Sequence, residues 1–364
     1  MAPTTDAGSV ADLEPAARER LAGDIWDFIA GGSGDETTLA ANRAALDRIT
    51  LVPHVLRDLS ERHTQCELFG FRASVPVAVA PIAYHRLVHP DGEMATARAA
   101  RRAGVPLTVS TMSSTSLEQV TEAGGTVWFQ LYPLRDRQRT RALVRRAEDA
   151  GCAALMVTVD VPWMARRPRD IRNSFSLPPH VRAPLLGDED GAPDARSRVP
   201  HASAVAEHTR AAFAPFTWAD LAELRRATSL PLIVKGVLAP DDAVRAVEAG
   251  ADGVVVSNHG GRQLDGAIPT ADALGAVCEA VGGRGTVLFD SGVRSGTDVL
   301  RALACGADAV LVGRPVLWGL AVEGEAGVHR VLTLLRREFT DALGLAGCPD
   351  PAAARELAIW RRPA

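Results

Sequence analysis

A short apolar run that follows a helical stretch closed by glycine recurs along this chain. Ala103-Gly104 precedes Val105 to Ser110, Ala123-Gly124 precedes Thr126 to Gln130, and Ala150-Gly151 precedes Ala153 to Thr158. Ala249-Gly250 precedes Gly253 to Ser257, and Cys305-Gly306 precedes Ala309 to Gly313. The glycine suits the left-handed position just past a helix end. The runs lack polar alternation, so each predicted strand is buried on both faces, the mark of parallel strands wrapped in helices. Val77 to Ala80, Leu232 to Lys235 and Val287 to Asp290 complete the series. Eight strands alternating with helices over about 250 residues predict an α/β fold of the closed (β/α)8 TIM-barrel kind. A doubly wound sheet is the alternative. It needs a glycine-rich dinucleotide turn after its first strand, and Gly31-Gly32-Ser33-Gly34 has no strand before it, so that run is read as a loop between helices.

Two segments stand outside the repeat. Residues 1–60 predict an N-terminal helical extension, with helices over Asp12 to Ala22 and Glu36 to Asp47. Residues 175–215, rich in Pro, Ala, Asp, Arg and His, interrupt the repeat between the fourth and fifth strands. A long insertion there reads as a lid over a barrel mouth or a disordered stretch. Its acidic centre, Gly187 to Pro193, lacks the ligand spacing of a calcium loop. All 364 residues are read as a single domain, because barrels of this size commonly form one.

Composition narrows the function. A net charge of −4 is too mild to favour nucleic acid or an anionic membrane surface as partner. Five scattered cysteines with no C-x-x-C pair fit reduced thiols rather than a disulfide framework. With no leader pattern, no apolar run of about 18 residues and no S-K-L-type ending, a cytoplasmic protein is expected.

The chemistry is expected at the C-terminal ends of the strands, where barrels of this type place reactive groups. Those ends are polar almost throughout: Ser110-Thr111, Gln130-Leu131-Tyr132, Thr158-Val159-Asp160, Lys235-Gly236, Ser257 to Arg262, Asp290 to Arg294, and Gly313-Arg314. The last two loops pair bare backbone amides at Gly292 and Gly313 with the guanidiniums of Arg294 and Arg314, which suits a phosphate. Taken alone, Arg314 reads equally as a surface ion pair. Lys235 ends an apolar strand, where a cation is costly unless an anion meets it. It reads either as a partner for negative charge on a reduced flavin or as a Schiff-base amine. His259 has room among glycines to face a ligand, three residues from Arg262, and Arg167 adds a second guanidinium beyond the fourth strand. Two guanidiniums around one base describe an anionic substrate such as a carboxylate. Asp160 reads either as a partner for His259 or as a helix cap.

From about Ile25 to Leu345 the chain resembles the FMN-dependent 2-hydroxy acid oxidase and dehydrogenase family, to which glycolate oxidase, lactate oxidase and mandelate dehydrogenase belong. The motifs are Pro81-Ile82-Ala83, His89-Pro90-Asp91-Gly92-Glu93, Gln130-Leu131-Tyr132, Thr158-Val159-Asp160, Lys235-Gly236-Val237, Ser257 through Asp265, and Val312-Gly313-Arg314-Pro315. The resemblance implies that His259 is the base, supported by Asp160. It implies that Arg167 and Arg262 hold the substrate carboxylate, and that Tyr132 bonds near its hydroxyl. It places Lys235 against the flavin, and sets Pro81, Ile82, Ala83, Ser110, Gln130, Thr158 and Ser257 around its ring. Asp290, Gly292, Arg294, Gly313 and Arg314 are implied to hold the ribityl chain and phosphate. A homotetramer is implied as well.

Three positions depart from the pattern. Phe28 stands where the family usually has Tyr, so no phenol can help bind the carboxylate. Met112 stands where glycolate oxidase-like members have Trp. Asp290-Ser291-Gly292 replaces Asp-Gly-Gly. Trp26 to Gly32 and Pro81 to His85 look most like the 4-hydroxymandelate oxidases, so an aromatic 2-hydroxy acid is expected, with an aliphatic one such as lactate or glycolate the alternative. Ala83 is similar to the oxidases, which implies O2 as acceptor and H2O2 as product. The rivals are a flavin dehydrogenase with another acceptor, an aldolase-type barrel using Lys235 as an amine, and a flavin-binding protein without catalysis.

Overall fold

The computed structural model describes residues 7–186 and 193–362. The acidic stretch at 187–192 lies outside the described residues. The eight expected strands form one closed parallel barrel. They are β1 (Val77–Ile82), β2 (Leu107–Ser110), β3 (Val127–Leu131), β4 (Ala154–Thr158), β5 (Leu232–Val237), β6 (Gly253–Val256), β7 (Thr286–Phe289) and β8 (Ala309–Val312). Pairing of β8 with β1 closes the ring. The strands are short and buried on both faces because Ala, Val, Leu and Ile fill their inner and outer positions. Inside the barrel, Ala78, Trp128, Met156, Ile233, Val255, Leu288 and Leu311 are all buried. Each large side chain among them contributes about 1.5–3 kcal/mol by leaving water. Outside, helices such as α4 (Gly92–Ala103), α5 (Leu117–Glu122) and α6 (Arg137–Asp149) turn apolar faces inward, and α4 stops at Gly104, whose φ of +67° gives the left-handed turn expected there.

The N-terminal extension is helical as expected: α1 (Leu13–Arg20), α2 (Gly23–Ala30) and α3 (Thr37–Asp47). The glycine-rich run at 31–34 is indeed the loop between α2 and α3. Beyond expectation, the hairpin Cys66–Leu68/Phe71–Ala73 covers the N-terminal end of the barrel, with Phe69 edge-on to Trp128 at 5.5 Å. Ile49–Leu51 pairs antiparallel with Ile359–Arg361, joining distant parts of the chain.

The insertion departs from its expected character. Its described part is packed rather than loose, because Phe175, Leu177, Val181, Leu185 and Leu186 are buried. It also carries a helix, α8 (Ala204–Ala212), started by Ser203 capping Ala206 N. All five cysteines are free. Burial pushes the Cys66, Cys152 and Cys278 thiols up to about 12, so none of these three is a thiolate at neutral pH.

Candidate active site

The C-terminal ends of the strands open into a cleft enclosing about 1300 Å³ of space continuous with solvent. Its base is a histidine held by the β6 loop. His259, Gly260 and Gly261 take φ values of +60°, +67° and +73°. The conformation is strained for the histidine, and side chains hold it: His259 N donates to Ser257 Oγ (3.1 Å), Gly260 N to Ser291 Oγ (3.0 Å) and Gly261 N to Asn258 Oδ1 (3.1 Å). A Cβ at Gly261 would lie 2.6 Å from Leu39 N, so α3 requires glycine there.

His259 Nδ1 lies 2.9 Å from Asp160 Oδ1. Asp160 is the partner of His259, not a helix cap. Burial works to raise its pKa, but the interaction with His259 and the charge of Lys235 outweigh this and hold the carboxyl below its usual range. The carboxylate can only accept, so the proton sits on Nδ1 and the lone pair of Nε2 turns to the cleft. Burial lowers the His259 pKa, with Asp160 opposing and Lys235 and Arg167 adding to it. The imidazole is therefore neutral and basic at neutral pH. Tyr132 Oη lies 3.4 Å from Nε2. Burial and the Asp160 charge push the phenol up, so it stays protonated. The Asp160 carboxylate fits because β5 bulges at Gly236, where a Cβ would meet the Asp160 side chain at 2.5 Å.

Arg167 and Arg262 both line the cleft. Burial lowers both, and the like charges of Arg167 and Arg314 depress Arg262 further. Among the described residues Arg167 Nε has no hydrogen-bond partner. Guanidiniums stay protonated, the Asp170 carboxylate opposes the depression at both, and neither Arg forms an ion pair among the described residues, so both can receive an anion. Arg262 spends one donor on Gly31 O at 2.7 Å.

A second anion site lies at the β7 and β8 loops. Arg314 gives its hydrogen bonds to the backbone carbonyls of Ile29, Gly31 and Gly260, at 3.0–3.2 Å. Arg294 donates to Val293 O and stacks on Trp318 at 4.9 Å. Neither forms an ion pair with a carboxylate among the described residues. Burial pushes Arg314 down to about 9 and Arg294 to about 10. The surface-ion-pair reading of Arg314 therefore fails. Beside them Gly313 begins the helix that starts at Arg314 and kinks at Glu323-Gly324, and a Cβ on Gly313 would meet only Ala80 at 3.8 Å. Two unneutralised cations, bare backbone and a helix N-terminus make a cradle that fits a phosphate.

Lys235 Nζ sits 3.3 Å from Asp290 Oδ2 and 3.0 Å from Ser257 Oγ. Burial would lower its pKa, but Asp290 and Asp160 raise it on balance. It is thus a fixed cation, and the Schiff-base reading, which needs a free amine, is set aside. Ser110, Thr158, Pro81, Ile82, Ala83, Asp290, Gly292, Phe28 and Met112 also line the cleft. Gln130 and Ser257 stand one layer behind: Gln130 bridges Ser110 and Thr158, and Ser257 orients Lys235 and His259. Sequence reading missed Val161, Met164, Val205, Thr209 and Phe213, which build an apolar wall. The last three come from the insertion, where a rule about strand ends has no purchase.

A profile for the FMN-dependent dehydrogenases matches residues 17–361. The chain belongs to that family. It is 57 % identical over 349 residues to a 4-hydroxymandelate oxidase of Amycolatopsis orientalis, spanning 96 % of this chain and 97 % of that protein. It is 46 % identical to an L-lactate oxidase of a Nostoc species, with 93 % of each covered. A crystal structure of mandelate oxidase with (S)-4-hydroxymandelic acid superposes with a TM-score of 0.95 at 56 % identity, covering 97 % of this chain and 99 % of that one. FMN is the cofactor of the family, and the cradle fits it: Arg294, Arg314, Gly292 and Gly313 would hold the phosphate, and Lys235 would meet the ring.

Proposed function

We propose that this protein oxidises an aromatic 2-hydroxy acid, mandelate or 4-hydroxymandelate, to the 2-keto acid, with O2 reduced to H2O2. The observation that carries the reading is that a neutral histidine poised by Asp160 shares one cleft with two guanidiniums that form no ion pair among the described residues, the Asp170 carboxylate acting on them only at longer range. Arg167 and Arg262 bind and orient the carboxylate. Tyr132 donates toward the substrate hydroxyl beside His259. His259 Nε2 takes up a substrate proton, and the Asp160 carboxylate stabilises the resulting imidazolium. Bound FMN supplies the two-electron acceptor, and Lys235 supplies positive charge beside it. Overall the acid gives up two protons and two electrons, which O2 receives as H2O2. Met112, Val161, Met164, Val205 and Phe213 offer an apolar wall for an aromatic ring, which supports an aromatic substrate over glycolate.

Anaerobic addition of a hydroxy-acid panel to the yellow protein tests this. Mandelates should bleach the flavin band, and in air one H2O2 should form per acid consumed. Bleaching by glycolate or lactate alone would overturn the substrate, and bleaching without peroxide in air would favour a dehydrogenase. The same reading carries a homotetramer, checked by light scattering, and a reducing compartment, consistent with five free cysteines.

A further inference from the structure

The insertion begins where α7 (Pro168–Arg172) ends, in a sharp turn at Ser174, whose φ is +46°. The turn is fixed by Ser174 N donating to Ile171 O (3.1 Å) and Phe175 N donating to Asp170 O (2.9 Å). Phe175 O in turn accepts from Ala204 N at the start of α8. The turn buries the Phe175 ring, leaving it 1 % exposed. It lies flat on Phe28 of α2, with centroids 4.4 Å apart and planes 13° from parallel. The Arg262 guanidinium sits over the Phe28 ring, 5.4 Å from its centroid. Three separate parts of the chain thus meet: the N-terminal extension, the insertion and the β6 loop.

The need for such a support follows from charge. Arg262 is half-buried beside two like charges, Arg167 and Arg314. One of its donors is bound to Gly31 O. The negative face of an aromatic ring stabilises a desolvated guanidinium, and a ring free to rock would not hold it in one place. Phe28 is an apolar ring without a hydroxyl, so its whole contribution here is that face.

We propose that Phe175, which does not line the cleft, is a positioning residue for substrate recognition: by stacking on Phe28 it fixes the surface on which Arg262 rests, and so sets the grip on the substrate carboxylate. The inference rests on the reading of Arg262 as a carboxylate binder. It places a determinant of acid binding inside the insertion.

The test compares mandelate with its primary amide, mandelamide, which keeps the ring and hydroxyl and lacks the carboxylate charge. Apparent affinity and limiting rate of flavin reduction are measured anaerobically on FMN-loaded wild type, Phe175→Leu and Phe175→Tyr. Phe175→Leu should lower the preference for acid over amide about three- to tenfold, the range expected for an attenuated cation–π contact. Its limiting rate with mandelate should stay within about twofold, and Phe175→Tyr, which keeps the ring, should restore the preference. Should Phe175→Leu fail to fold, Phe28→Leu removes the ring itself and should lower the preference at least as far. A parallel loss for acid and amide, or an unchanged preference in either leucine variant, overturns the proposal and leaves Phe175 a packing residue. Absence of any acid preference in the wild type would instead sink the role of Arg262 itself.

Discussion

Two histidines, one half-buried and one buried, lie on the same face of the same barrel, each under the field of a carboxylate, and they behave differently. His259 and Asp160 sit in the cleft; His85 and Glu93 sit behind its wall, each 2 % exposed. In both cases burial lowers the histidine pKa and the carboxylate opposes it. In both cases burial would raise the carboxyl, and the histidine and hydrogen bonds bring it down. Titration alone does not separate them. The remaining valences do. Glu93 accepts from His85 N (3.0 Å), Ser114 N (2.7 Å), Ser114 Oγ and Thr115 Oγ1 (2.9 Å), and His85 Nδ1 meets Thr96 Oγ1 at 2.9 Å. In the cleft, Asp160 Oδ2 and Arg167 Nε have no partner among the described residues, and His259, which lines the cleft, has only the long 3.4 Å contact from Tyr132 Oη at Nε2. A satisfied pair clamps the loops after β1 and β2; an unsatisfied pair is held ready for a substrate.

The comparison breaks most visibly at the bases. His259→Ala should slow anaerobic flavin reduction by at least about a thousandfold, with FMN still bound and thermal stability nearly unchanged. Retained reduction would remove His259 from its role. Glu93→Ala should do the reverse. It leaves two backbone amides and two hydroxyls buried without their acceptor, costing about 3 kcal/mol, read as a lower urea midpoint. Turnover per folded, FMN-loaded molecule should fall far less than in His259→Ala. Asp160→Asn comes next. The Asp160 charge favours the protonated form of His259, so its removal lowers that pKa further. The wild type should lose kcat/KM as pH falls through a value below the ordinary histidine range. In Asp160→Asn that acid limb should move lower still, while the plateau drops about 10- to 100-fold because the tautomer is no longer fixed. An acid limb that stays in place would show that another group governs it.

Much of this was legible in the sequence, because repeated burial leaves a repeated signature. Five strands follow from the glycine-then-apolar recurrence and the other three from apolar runs of the same kind, since each strand meets the same two-sided environment. The hairpin at 66–73 was not legible, as strands of three residues carry too few positions for a period to show. The polar strand ends pointed to His259, Asp160, Lys235 and the phosphate cradle. Phe175 and the wall from α8 escaped because their meaning depends on which distant surface they touch. Glu93 stood in the visible run His89-Pro90-Asp91-Gly92-Glu93, yet nothing local marks it as a buried clamp. Only the fold brings Ser114 and Thr115 to it.

The smallest effect sharpens the contrast most. In His85→Asn, the side-chain carbonyl can take the place of Nδ1 opposite Thr96 Oγ1, which also lies 3.4 Å from Gly92 O as a second acceptor. The backbone amide of residue 85, the group that actually donates to Glu93, is untouched. Glu93 loses only the ring's charge interaction, and its acceptors stay filled. The substitution should therefore cost about 1 kcal/mol, measured by urea unfolding, and leave kcat/KM and its pH profile superimposable on the wild type. The same change at His259 removes a base with nothing to replace it. If His85→Asn shifted the acid limb of the profile, the sealed pair would be electrically coupled to the cleft, and access would no longer suffice to tell a structural histidine from a working one.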